Sequence, residues 1–214
     1  MVAIIFDLEL IKRFRKGQPS EIVEIGACKV DLKTKTMIDQ IQIYISPKKG
    51  HISKSTRKFI KMTEEDVKKA VPFQTAIQLF CEWIGEDNYY LCSWGKDDRA
   101  HFINQSVQNK LNLDWLQNYN DIQKPIGKFL TEAVNNQLGL KNALNMAGIE
   151  LTGKAHRGID DAINTAALFI KFIDRIELVE NSLSEKEIQN HYKKYKRSRF
   201  RHLDRPAKKP PTSH

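Results

Sequence analysis

At 214 residues, with 41% hydrophobic and 29% charged residues, the chain is long enough for one sizeable α/β core and a modest appendage, and its composition excludes a disordered chain. No apolar run approaches the length of a membrane span, and the start, Met1-Val2-Ala3-Ile4-Ile5-Phe6-Asp7, lacks the basic opening and small-residue cleavage site of a secretory signal. The net charge of +9 points to an anionic partner without naming one. Residues 2–8 are apolar and β-branched, as expected of a strand buried on both faces. A second strand is predicted from Glu21 to Val30, a turn through Asp31 to Thr36, and a third strand from Met37 to Ile45, where Ile41, Ile43 and Ile45 alternate with Gln42 and Tyr44. The short polar connection makes the last two a hairpin, and the three strands together a meander.

Helices follow. Thr63 caps a helix whose first turn is Glu64-Glu65-Asp66, and another starts after Pro72 with Ala76, Ile77, Phe80 and Ile84 on one face. Tyr89 to Cys92 reads as a short strand, with a helix beginning near Asp98, and Tyr119 to Ile122 as a weaker strand. Further helices are predicted over Ile126–Asn135, over Leu140–Ala147 with Gly148 closing it, and over Ile159–Val179. Ser184 and Glu187 form a capping-box pattern for a last helix, basic and outside the core, which Pro206, Pro210 and Pro211 bring to an end. Strands first and then helices interspersed with strands predict an α/β fold with a mixed central sheet flanked by helices. Cys28, Cys81 and Cys92 are odd in number and lack metal-ligand spacing, so they read as free thiols of a reducing cytosol.

Three places carry acids in settings that invite chemistry. Asp7 and Glu9 lie two apart at the end of the first strand and so share a face. Adjacent carboxylates there repel and are costly to desolvate, which Mg²⁺ or Mn²⁺ would relieve, although the same pair fits ordinary surface charges where a strand emerges. Asp97 and Asp98 start a helix just after a strand, where acids complement the helix dipole and where open sheets bind ligands. His156 precedes a helix whose first turn holds Asp160 and Asp161, with Gly158 between. Histidine changes charge near neutral pH and suits proton transfer, but a lone histidine before a helix is more often incidental.

Together these residues resemble the DEDDh branch of the DnaQ-like exonucleases, which share a ribonuclease-H-like fold. That family has Asp-x-Glu at the end of the first strand, a middle aspartate, and a later His-x-x-x-x-Asp. The matches are Asp7-Leu8-Glu9, Asp98, and His156 to Asp161, spanning residues 4–170. The Eri-type and KapD-like subgroup is similar in three stretches: Pro19-Ser20-Glu21-Ile22-Val23-Glu24-Ile25-Gly26-Ala27, Ser93-Trp94-Gly95, and His156-Arg157-Gly158-Ile159-Asp160-Asp161-Ala162. The aspartate four positions after Trp94 selects Asp98 over Asp97, and the histidine spacing selects Asp161 over Asp160.

The resemblance implies a metal-dependent 3′–5′ exonuclease releasing nucleoside 5′-monophosphates. It implies two Mg²⁺ or Mn²⁺ ions held by Asp7, Glu9, Asp98 and Asp161, with Asp7 bridging them and His156 as the general base. Leu8, Leu10 and Trp94, within the motifs, and Lys12 and Arg13, in the loop after the first one, are the candidate substrate contacts. Leu10 stands where the family usually has a small residue or threonine, a departure that bears on the contact to the terminal nucleotide rather than on the metal site.

The expected partner is a single-stranded nucleic-acid 3′ end, RNA ahead of DNA, in the cytoplasm and away from membranes. An exodeoxyribonuclease carries the same residues, and a non-catalytic nucleic-acid-binding module on the same fold is the third reading. The exonuclease domain is expected over residues 1–180, and a basic helix with a disordered tail over 181–214. Most of the positive charge gathers there, in Lys193, Lys194, Lys196, Arg197, Arg199, Arg201, Arg205, Lys208 and Lys209, and leaves the remainder close to neutral. With Tyr192, Tyr195 and Phe200 among them, these cations suit a phosphate backbone with stacked bases, or a solubilising end.

Overall fold

The computed structural model describes residues 1–11, 20–48, 51–131 and 137–203, and in it the chain begins with the expected meander. Strands β1 (Val2–Leu10), β2 (Ile22–Asp31) and β3 (Thr36–Tyr44) pair antiparallel in sequence. Strand β4 (Tyr89–Ser93) joins the free side of β1 in parallel and β5 (Tyr119–Asp121) joins β4, giving the order β3-β2-β1-β4-β5. The sheet is mixed and central, as its sequence pattern predicts.

Two short helices follow β3: α1 (Lys54–Phe59), which the sequence reading did not foresee, and α2 (Glu64–Lys69). In α2 the Thr63 hydroxyl accepts from the Asp66 amide at 3.1 Å while the Asp66 carboxylate accepts from the Thr63 amide at 2.9 Å, a reciprocal cap. Helix α3 (Phe73–Ile84) buries Ala76, Ile77, Phe80 and Ile84 as expected, and with α4 (Asp97–Asn109) covers one face of the sheet. Ile4, Phe6 and Leu8 of β1 point into that layer. Ala3 and Ile5, of opposite parity, point into the other, which α5 (Gln123–Thr131), α6 (Leu140–Met146) and α7 (Gly158–Phe172) cover.

Helix α7 corrects the sequence reading at its C-terminal end. It stops at Phe172, passes through a 3₁₀ turn at Ile173–Arg175, and the chain then runs extended beyond the expected end at Val179. The reason is the edge of β5. There the Asn120 side chain accepts from the Val179 amide (2.9 Å) and donates to its carbonyl (3.1 Å). Asn181 likewise accepts from the Tyr119 amide (3.1 Å) and donates to the Tyr119 carbonyl (2.8 Å), while Asn118 accepts from the Asn181 amide (3.0 Å). These long-range bonds satisfy backbone that a longer helix would have satisfied internally.

The last helix, α8 (Glu185–Leu203), begins where expected, with the Ser184 hydroxyl accepting from the Glu187 amide at 3.2 Å. Its first turns do not stand clear of the core. Leu183 and Ile188 pack against the α3–α4 layer, and Glu187 pairs with Arg99 of α4 through both carboxylate oxygens.

One contact sets how close α7 lies to the sheet. A Cβ added at Gly26 of β2 would sit 2.1 Å from both Gly158 C and Ile159 N, so two glycines let the backbones touch. Gly26→Ala must push α7 off β2, and a loss of about 1–3 kcal/mol or more is expected from denaturant unfolding. A midpoint equal to that of the parent would mean that α7 is free to shift.

Candidate active site

Strand parity places Asp7 and Glu9 on the α7 face, where β1 has just left the hydrophobic layers. In the β1–β2 ladder Asp7 lies opposite Gly26 and Glu9 opposite Glu24, so two acids face each other across the strand pair. Glu9 is 7% exposed and Glu24 fully buried. The Glu24 oxygen Oε1 accepts from Gln42 Nε2 of β3 at 2.7 Å and from the Ile159 amide of α7 at 3.3 Å, while Oε2 is buried without a partner. Glu24 therefore joins β3 to the first turn of α7 directly behind Glu9.

Asp98 is delivered by the turn after β4. The buried Ser93 hydroxyl and the Tyr119 hydroxyl both donate to the Gly95 carbonyl, at 2.7 and 2.6 Å, and Gly95 takes a φ of +99°. Trp94 is half-buried against the α5–α7 layer, its indole nitrogen donating to the Leu138 carbonyl at 2.9 Å. The tryptophan thus anchors the turn from which α4 and Asp98 start. Asp97 is exposed, and Asp98 lies deeper.

The loop before α7 is clamped from inside. The Asn164 side chain donates to the Thr152 and Asp160 carbonyls, each at 2.8 Å, and Asp160 Oδ2 accepts from the Lys154 amide at 2.8 Å. Asp160 thus closes its own loop. Asp161, one residue on, accepts from the His156 amide at 2.9 Å. His156 takes a φ of +64°, unusual outside glycine, and its exposed imidazole stacks on Phe59 of α1 with ring centres 4.6 Å apart. Arg157 ties the loop outward to the Tyr44 hydroxyl at 2.5 Å and to Asp66 at 3.8 Å. Glu9, His156 and Asp161 can each offer an atom such that all lie within 4.8 Å of one another.

The electrostatics follow from burial and crowding. Burial, then Asp98, Asp161, Glu9 and Glu24, raise the Asp7 carboxyl well above its ordinary value. Glu9 is pushed up to about 8 by burial and then by Glu24, Asp161 and Asp98. Asp98 is pushed up to about 8 by burial and its neighbour Asp97. Burial also raises Asp161, against the lowering effect of the His156 amide. Such a set of hard oxygen donors, with Asp7 and Glu9 pressed by the others, fits a divalent cation, whose charge would reverse that repulsion.

The structure thus brings Asp7, Glu9, Asp98, His156 and Asp161 together near the end of β1. It does not bring the side chains of Leu8 and Leu10 there, since both turn to the opposite face and pack in the α3–α4 layer. Trp94 is held as a core anchor, and Lys12 and Arg13 lie outside the described residues. Two neighbours of the site were not singled out from sequence. Glu24 comes opposite Glu9 through the register of β1 with β2, which the long connection between them does not reveal, and the stacking of Phe59 on His156 likewise joins residues far apart in sequence and leaves no local signal.

A sequence model of the RNase T exonuclease family matches residues 4–169. The chain belongs to the exonuclease family. The chain is 25% identical over 177 residues to human ERI1 exoribonuclease 2, covering 72% of this chain but 25% of that one. It is 25% identical over 172 residues to the probable 3′-5′ exonuclease KapD of Bacillus subtilis (strain 168), covering 78% and 82% of the two chains. The nuclease domain of 3′hExo, a DEDDh family member whose structure was determined bound to rAMP, superposes with a TM-score of 0.76 at 22% identity, over 86% of this chain and 97% of that one. The chain therefore has the expected ribonuclease-H-like fold, a mixed five-stranded sheet flanked by helices.

The raised carboxyls have a consequence for stability. Below about pH 8 the folded exonuclease holds protons on Glu9 and Asp98 that the unfolded chain releases near ordinary values of 4.5 and 3.8. Because the folded state binds more protons in that window, stability falls as pH rises through it. In chelator, Tm is expected to drop between pH 5 and 8, and Glu9→Gln to flatten the drop. A Tm that climbs steadily over that range in the parent protein would contradict this electrostatic picture.

Proposed function

We propose that this exonuclease removes nucleotides one at a time from the 3′ end of single-stranded nucleic acid, RNA ahead of DNA, and releases nucleoside 5′-monophosphates. The observation that carries the reading is the convergence of four carboxylates from β1, α4 and α7 near the end of β1, with an exposed histidine beside them. RNA is placed first because human ERI1 exoribonuclease 2 is named for that activity.

In this reading Asp7, Glu9, Asp98 and Asp161 hold two Mg²⁺ or Mn²⁺ ions. When bound, such ions neutralise phosphate charge and make water more acidic. His156 accepts, on an imidazole nitrogen, the proton of the water that attacks the terminal phosphodiester. The new bond forms between that oxygen and phosphorus, the bond to the 3′ oxygen breaks, the departing oxygen takes a proton from solvent, and the nucleoside 5′-monophosphate and the shortened strand with its free 3′-hydroxyl leave. The Phe59 stack and the bond from the His156 amide to Asp161 hold the imidazole beside the carboxylates. The burial of Glu24 behind Glu9 makes it a support for the site rather than a ligand. Three free thiols are consistent with action in a reducing compartment such as the cytoplasm, and among the described residues no helix is long and apolar enough to cross a membrane.

The proximity of His156 to Glu9 and Asp161 favours a second reading, in which the imidazole is a ligand rather than a base. Two variants separate them on matched 5′-labelled RNA and DNA strands with Mg²⁺ or Mn²⁺. As a base, His156→Ala keeps metal affinity and lowers kcat by about 10²–10⁴-fold. As a ligand, the same change weakens metal affinity. Asp7→Ala is expected to lose both metal binding and turnover, and the ratio of RNA to DNA rates tests the strand preference. Near-full activity of Asp7→Ala would overturn the metal-site reading.

A further inference from the structure

We propose that α8 is a second nucleic-acid contact, set away from the carboxylates, which engages a strand only when it is long enough to reach from one to the other. The inference rests on the exonuclease reading above. Two contacts fix the direction of α8. Glu187 pairs with Arg99, the residue after Asp98, and the His191 ring nitrogen Nδ1 lies 2.7 Å from Asn104 Oδ1. Position 187 is thus level with 99 and position 191 with 104, so α8 starts at the Asp98 end of α4 and runs in the same direction, away from the site. At about 1.5 Å per residue, Lys193 lies about 9 Å beyond Glu187 and Leu203 about 24 Å beyond it. Helix α4 ends about 15 Å beyond Arg99, so the last turns of α8 pass its end.

Composition changes along the same axis. The N-terminal end holds the anchoring groups: half-buried Leu183 just before the helix, half-buried Ile188 within it, and the Glu187 carboxylate paired with Arg99. From Ile188 to Leu203 the sequence has no aspartate or glutamate, but has Lys193, Lys194, Lys196, Arg197, Arg199 and Arg201. A helix that is merely solvated usually mixes both signs of charge. Here Lys193, Arg197 and Arg201 succeed one another at four-residue spacing, an arrangement that destabilises an isolated helix and that a polyanion relieves. Roughly one cation per 2 Å of axis approaches the charge spacing of a duplex, one per about 1.7 Å. Aromatic residues lie among these cations. Tyr192 is 45% exposed with the Lys196 ammonium 4.9 Å from its ring centre, and Tyr195 follows three residues later.

With the 3′ end at the carboxylates, the basic stretch lies about 10–25 Å along the molecule. At about 3.4 Å per nucleotide that is at least three to seven nucleotides upstream. A trinucleotide therefore ends short of the basic stretch of α8, and a strand of 20 covers it. The helix acts on affinity for long strands and leaves the cleavage step alone.

The test compares the full chain with a variant in which Lys193, Lys194, Lys196, Arg197, Arg199 and Arg201 are all glutamine, which keeps helix propensity. Binding of a 20-nucleotide strand is read by anisotropy in EDTA from 50 to 200 mM salt, and cleavage of a trinucleotide is read with Mg²⁺. The variant is expected to bind the long strand about tenfold or more weakly, with a log–log salt slope shallower by up to about 4. It is expected to cleave the trinucleotide at the parent rate, which also certifies its fold. Unchanged long-strand affinity and slope would overturn the proposal. So would α8-dependent binding to phosphatidylserine vesicles with strand binding unaffected, since the helix would then serve a membrane surface. Lack of trinucleotide cleavage by the parent, with α8-dependent strand binding intact, would reject the exonuclease reading and leave the contact standing.

Discussion

The closeness of α7 to β2 is the constraint on which the rest of the site depends. Two backbones meet at Gly26 and Gly158 with no room for a side chain at position 26, and this brings the first turn of α7 over the end of β1. From there the Ile159 amide reaches Glu24, the His156 amide reaches Asp161, and Asp161 stands against Asp7 and Glu9. A looser contact would let the acids spread apart, as their mutual repulsion demands. The hydrophobic layers on either side of the sheet supply the free energy that keeps them together.

Glu24 shows how far that crowding goes. A carboxyl directly opposite another in an antiparallel pair is an unfavourable arrangement, and full burial makes it worse. Burial raises the Glu24 carboxyl, while the bonds from Gln42 and Ile159 lower it. Local stability alone would favour an apolar residue at this position. The acid earns its place by linking three elements, β3, β2 and α7, behind the groups of the site.

The fold is legible in the sequence where the information is local or periodic. Continuous apolar strands, the alternating isoleucines of β3, the cap at Thr63 and the stripe of Ala76, Ile77, Phe80 and Ile84 are such signals, and the fold class follows from them. The five residues of the candidate site were legible through motif order and spacing. Asp161 was separable from Asp160 by spacing, and the structure supplies a physical difference, since Asp160 bonds within its own loop. Other features were hidden for one common reason. Helix α1 has six residues, of which Thr56 alone is buried, so it presents no stripe. The end of α7 and the stack of Phe59 on His156 are decided by partners many residues away.

The asparagine cover on β5 has a chemical implication of its own. At positions 118, 120 and 181 each side-chain amide offers one oxygen and one NH₂, and Asn120 and Asn181 use both on backbone of the opposite sense. Deamidation to aspartate preserves the shape but leaves only acceptors. At Asn181 it would set a carboxylate oxygen against the Tyr119 carbonyl, which now accepts at 2.8 Å, and so loosen the stretch that leads into α8. The seam between sheet and tail is therefore sensitive to chemical ageing, through the loss of a single donor.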